Sequence, residues 1–209
     1  MTELTFHVAM RTTPNASLGL VPTLTEVVLA WRGADSLGAS DCELVRDAIL
    51  AQPVAALSSL GYVVAGGWLV WAWRDLPPGE RAAARGYGGL LVLVGAGSVL
   101  YHGPQGPAAE LLHDLPVVLV LAEAIAVPTR RAVRRRPVLR AGLRNRLLLT
   151  GTLAALAVAA YGAGRTGSPL CDPHSLMQPH GLWHLSGAAA LALWGTALWP
   201  APADPESQT

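Results

Sequence analysis

The chain has 209 residues, 52% of them apolar and only 14% charged, with 22 glycines and 16 prolines. That balance argues against an ordinary soluble domain and fits a helical membrane protein. A formal net charge of +1 selects no partner, and two cysteines are too few for a disulfide scaffold.

In chain order, residues 1–40 lack the basic flank and immediate apolar run of a secretory signal, so membrane delivery is expected to rest on the first spanning segment. Their one apolar patch, Val27 to Trp31 behind Pro22, is too short to cross a bilayer and predicts a surface or interfacial helix. A spanning helix needs roughly 20 mostly apolar residues at about 1.5 Å each. Val54–Trp73 meets that length, followed by Gly86–His102, Leu111–Val127, Leu147–Gly164 and Gly181–Trp199. The expected fold is an all-α membrane bundle of five to seven spans, five favoured, with residues 41–199 as the membrane domain and 200–209 as a tail. Glycines within the spans allow close helix approach, and Trp68, Trp71, Trp73, Trp194 and Trp199 fall near span ends, where interfacial aromatics collect.

Orientation follows from arginine, since the chain has no lysine. One side carries Arg74, Arg81 and Arg85 together with the stretch "TRRAVRRRPVLRAGLRNR"; the other carries Arg11, Arg32, Arg46 and Arg165. The arginine-rich side is expected to face the cytoplasm, placing the N-terminus outside and the tail inside. A short loop between spans is where topology arginines belong, so no nucleic-acid partner is expected. Cys42 and Cys171 then share the outer side, where either a bridge between them or two unrelated buried thiols is compatible with the residues.

The unusual polar residues gather at that same boundary. His102 ends the second span with Ser98 one turn deeper, His113 and Asp114 open the third, and His180 and His184 open the fifth. Residues four apart share a helix face. A catalytic zinc uses three protein ligands and leaves one position for water; a histidine pair on one helix supplies two and His102 the third. Asp114 is suited to proton transfer and Ser98 to hydrogen-bonding a carbonyl oxygen. Each motif alone has a plainer reading: headgroup-bonding histidines, a serine bonded back to its own helix, a helix-capping aspartate. Their placement at one depth favours the metal reading, because ionisable groups inside a membrane are costly. His113 is expected beside the centre or facing headgroups, and His7 and His174 in solvent. Glu123, deep in the third span, is expected to bond another helix or reach for the interface.

"GSVLYHGP", "LLHDLP" and "HGLWHLSG" together resemble the signature of the alkaline ceramidase superfamily, which also holds the progestin and adipoQ receptors and Per1-like proteins. "DCELVRDAILAQPVAALSSLGYVVAGGWLV", residues 41–70, resembles the Cys-Glu segment and first helix of alkaline ceramidases. The resemblance runs from about Asp41 to Trp199 and implies zinc held by His102, His180 and His184, with Ser98 and Asp114 assisting hydrolysis of a lipid amide. It implies a Cys42–Cys171 disulfide and a calcium site around Glu43 and Asp41, although Asp41 is offset by one residue and Gln52 or Val54 stands where a second Glu belongs. The family has seven spans against five here, with parity preserved. The leading expectation is a zinc-dependent hydrolase of acyl-amide lipids in a bacterial inner membrane, its site on the extracytoplasmic side. The second is a non-enzymatic receptor or signalling protein with a structural zinc.

Overall fold

The protein was analysed as a computed structural model that describes residues 37–134 and 141–200. The Val27–Trp31 patch and the tail beyond residue 200 lie outside the described residues. Six helices follow one another: α1 (Pro53–Ser58), α2 (Leu60–Ala72), α3 (Pro78–His102), α4 (Ala109–Arg134), α5 (Ala141–Ala163) and α6 (Pro179–Leu198). Among the described residues no β-strand occurs, only an isolated bridge between Asp41 and Arg165. The architecture is the expected all-α bundle.

Prolines set the starts of α1, α3 and α6. Their ring fixes a helical φ, and the N–H they lack has no partner in a first turn anyway. α1 and α2 form one rod broken at Ser59. There the hydroxyls of Ser58 and Ser59 both donate to the Ala55 carbonyl, at 3.0 and 2.7 Å, competing with the helical ladder.

Four helical segments are long and apolar enough to cross a membrane: Pro53–Ala72, Pro78–His102, Ala109–Thr129 and Leu143–Ala163. α6 has the length, at 20 residues, but His180 and His184 in its first two turns dilute its apolarity. Leu111, Val118 and Ile125 on α4, and Leu148 and Val158 on α5, are exposed, as bilayer-facing side chains must be.

α3 packs between α2 and α4, and α6 packs mainly on α5 with a second contact on α2. Small residues permit this. A β-carbon on Gly66 would lie 2.8 Å from the Val92 nitrogen, so α2 and α3 meet backbone to backbone. Likewise, a β-carbon on Gly97 would lie 2.6 Å from the carbonyl carbon of Leu112. Pro116, inside α4, has no N–H to offer that Leu112 carbonyl, so α3 approaches α4 where α4 lacks a ladder bond. Among the described residues α4 and α5 make no contact, which leaves the bundle open on that side.

Two details differ from the sequence reading. Arg81 and Arg85 lie in the first turns of α3 rather than in a loop, because the Pro-Gly-Glu start nucleates the helix at Pro78, and Arg81 Nε donates to the Leu76 carbonyl at 2.8 Å. Trp73 and Trp199 are not interfacial anchors. They are buried against Tyr87, with Trp73 Nε1 donating to the Trp199 carbonyl at 2.9 Å and the Tyr87 hydroxyl to that of Leu191 at 2.8 Å. Trp68 and Trp71 remain exposed.

Residues 37–52 form an irregular strap across the opposite end of the bundle. Its backbone bonds run to that end throughout: Cys42 N to Gly164 O at 2.7 Å, Leu44 N to Pro173 O at 3.1 Å and Gln52 N to His102 O at 2.7 Å. Thr166 N returns a bond to Ser40 O at 2.9 Å. The Cys42–Cys171 disulfide, with Cα atoms 5.4 Å apart, ties the strap to the α5–α6 loop.

Candidate metal centre

His102 is the last residue of α3, and His180 and His184 occupy the first two turns of α6. All three rings are buried, at 1%, 4% and 1% exposure, which is unusual for imidazoles unless something claims their nitrogens. Their ring centroids lie 5.1 Å (102–180), 5.3 Å (102–184) and 4.7 Å (180–184) apart. One nitrogen from each lies within 4.8 Å of the other two. A tetrahedral ion with bonds of about 2.0–2.1 Å needs its ligand nitrogens about 3.4 Å apart, so small ring rotations close the set.

Hydrogen bonds fix which nitrogen two of the three rings, His184 and His102, offer. His184 Nδ1 lies 3.1 Å from the Ala55 carbonyl and 3.0 and 3.1 Å from the Ser58 and Ser59 hydroxyls. Both hydroxyls already donate to Ala55, so Nδ1 carries the proton and Nε2 keeps a free lone pair. His102 Nδ1 lies 2.8 Å from Gln52 Oε1. Gln52 Nε2 donates to the carbonyls of Gly38 and Glu43 at 3.0 and 2.8 Å, so the amide cannot be turned round and Oε1 must accept from His102. His180 Nδ1 lies 3.4 Å from Asp41 Oδ1. Among the described residues, the Nε2 atoms of His102, His180 and His184 are buried without a hydrogen-bond partner, as is His180 Nδ1. Three buried imidazoles with ring nitrogens this close are a donor set for a divalent ion.

Asp41 reaches the centre from the strap. Its carboxylate is buried, accepts from Arg165 Nη1 at 2.5 Å and lies 4.0 Å from His102 Nδ1. Burial pushes this carboxyl up to about 6, with Arg165 and His113 pulling the other way. Arg165 also stacks over the Tyr161 ring at 5.1 Å. Gly164 makes room here: a β-carbon on it would lie 2.7 Å from the backbone nitrogen of His180.

A cavity of about 460 Å³ opens beside the histidines. Its polar end holds Ser98, Tyr101, Asp114 and Arg165, and its apolar end Val94, Val117, Val120, Leu121 and Leu191. Val117 and Leu121 on α4 and Val158 and Tyr161 on α5 all line it, from two helices that make no contact with each other among the described residues. Ser98 is buried in this wall, one turn below His102. Asp114 sits at the mouth, largely exposed, with its carboxylate 2.7 Å from His113 Nδ1. His113 thus lines the cavity and braces Asp114, its ring 5.9 Å from that of His102. Glu123 is half-buried and does not line the cavity, and His174 is exposed.

The expected calcium ligands are otherwise engaged. Glu43 gives its two carboxylate oxygens to the backbone amides of Val54 and Ala55, each at 2.8 Å, and so caps α1. Asp41 is paired with Arg165. Among the described residues the histidine triad is the group able to hold a metal.

Sequence reading assigned no part in the histidine cluster to Gln52, Ser58, Ser59 or Arg165. The signal for the two serines was a pair of hydroxyls inside an apolar run, and for Gln52 a polar residue immediately before a span-opening proline. Comparison of the chain with known protein families, with curated proteins and with solved structures finds no match.

Proposed function

We propose that this protein is a zinc-dependent integral membrane hydrolase that cleaves the amide bond of an acyl lipid, in the manner of the alkaline ceramidase superfamily. The observation that carries the reading is the cluster of three buried histidines, one ring nitrogen of each within 4.8 Å of the other two, beside a cavity with polar and apolar walls. A zinc ion held there supplies Lewis acidity and brings the pKa of water toward about 7.

The chain's own residues would do the rest. The apolar end of the cavity accepts an acyl chain entering between α4 and α5. Ser98, one turn below His102, would donate a hydrogen bond to the carbonyl oxygen as negative charge develops there. Asp114, braced by His113, would carry a proton from the attacking water to the departing amine. Among the described residues no fourth ligating side chain joins the triad, which favours an open site over the closed structural site a receptor would need.

The test is metal analysis of the purified protein, followed by incubation with acyl-amide lipids with and without a chelator. One zinc per chain and chelator-sensitive release of free fatty acid are expected. Zinc binding without fatty-acid release would favour the receptor reading, and a metal-free protein would remove both.

A further inference from the structure

We propose that the strap, residues 37–52, is the outer coordination sphere of this centre: Gln52 and Asp41 are positioning residues for His102 and His180, and the Cys42–Cys171 bridge clamps them in place. The inference rests on the metal reading above. It adds that two of the three histidines are oriented by a separate, covalently latched segment.

Gln52 grips His102 twice. Its backbone N–H donates to the His102 carbonyl at 2.7 Å, and its side-chain oxygen accepts from Nδ1 at 2.8 Å. The side chain is fully buried, and its amide nitrogen is held by two strap carbonyls, so its orientation belongs to the strap's fold. Asp41 faces His180 more loosely: among the described residues that ring has no hydrogen-bond partner, and the Asp41 carboxylate is the acceptor nearest its Nδ1, at 3.4 Å. Arg165 holds that carboxylate from the other side. Cys42 lies between Asp41 and Glu43, and its partner Cys171 lies in the loop that leads into α6. The bridge therefore joins the segment bearing the orienting groups to the segment bearing an oriented ring. His184 differs, because its acceptors, Ala55, Ser58 and Ser59, belong to the α1–α2 rod. It is the internal control.

Removing an outer-sphere partner of a ligating histidine typically weakens metal binding about 10–100-fold. Gln52→Ala and Asp41→Ala are each expected to lower zinc affinity by about that factor in chelator competition. Asp41→Asn, which keeps an accepting oxygen, should lose less than about tenfold. The cobalt-substituted protein should show an altered visible spectrum in the two alanine variants and a nearly normal one in Asp41→Asn. Wild-type protein with its disulfide reduced should surrender zinc faster at unchanged helicity. In metal-free protein, histidine-selective ¹⁵N spectra should show His102 and His184 protonated at Nδ1, with Gln52→Ala erasing the preference at His102 and sparing His184.

Alanine variants that are folded by circular dichroism yet hold zinc as tightly as wild type would overturn the proposal, as would a reduced protein that retains zinc equally long. Should one alanine variant fail to fold, the other alanine variant and the reduced wild type carry the test. A wild-type protein that takes no zinc overturns the metal reading, and the nitrogen spectra alone then decide whether Gln52 positions His102.

Discussion

The two ends of the bundle both bury polar atoms and treat them in opposite ways. At one end Trp73, Tyr87 and Trp199 stack with ring centroids 5.5 to 6.4 Å apart. Their donors are met: Trp73 Nε1 by the Trp199 carbonyl and the Tyr87 hydroxyl by the Leu191 carbonyl. At the other end three imidazoles stack at comparable distances, and each leaves a buried nitrogen with no partner. A buried polar atom left unpaired costs about 1–3 kcal/mol. The aromatic end therefore reads as closure of the fold, and the histidine end as a site whose stabilising partner comes from outside the chain.

Substituting across both ends tests that contrast most directly. His184→Ala, His180→Ala or His102→Ala should remove bound zinc and abolish lipid-amide hydrolysis, read by metal analysis and fatty-acid release. Stoichiometric zinc in a His180→Ala, His184→Ala double variant would reject the ligand assignment. Trp73→Ala should invert the pattern. It removes a buried indole that spans α2, α3 and the end of α6, so a loss of about 3–5 kcal/mol in denaturation is expected, with normal zinc content in whatever remains folded.

Next in size come Ser98→Ala and Asp114→Asn. Neither supplies a ligand, so zinc should stay bound while turnover falls by about a hundredfold or more. An unchanged rate in Ser98→Ala would leave that hydroxyl as packing in the cavity wall. Loss of zinc in Asp114→Asn would move Asp114 into the ligand set, against its exposed position at the mouth.

How much of this was legible in the sequence differs between the ends. The histidines could be read because each signal is local: residues 180 and 184 share a helix face by spacing, and the end of an apolar run gives the depth of His102. Four of the five expected spans are long, apolar helices with ends within a few residues of the reading, except at α3, where arginines at 81 and 85 masked a helix already begun at Pro78; the fifth, α6, is a helix but not among the segments apolar enough to cross. The strap was hidden because irregular backbone has no period, and the roles of Asp41 and Gln52 exist only through contacts with residues 124 and 50 positions away. The aromatic end was misjudged because a tryptophan at a span end looks alike whether it faces headgroups or a neighbouring helix. Only the contact between Trp73 and Trp199, 126 residues apart, decides.

The smallest expected effect lies where the two ends meet. Leu191 turns its side chain into the cavity and offers its carbonyl to the Tyr87 hydroxyl. Tyr87→Phe keeps the ring in its stack and removes only that hydrogen bond, while the Leu191 carbonyl retains its partner within α6. A loss of about 1 kcal/mol is expected, visible as a lowered denaturation midpoint. If the ends are independent, zinc affinity will not change. A fall in zinc affinity would instead mean that α6 transmits strain from its aromatic end, through Leu191, to His184 two turns away. The closure of the fold and the tuning of the site would then be one property.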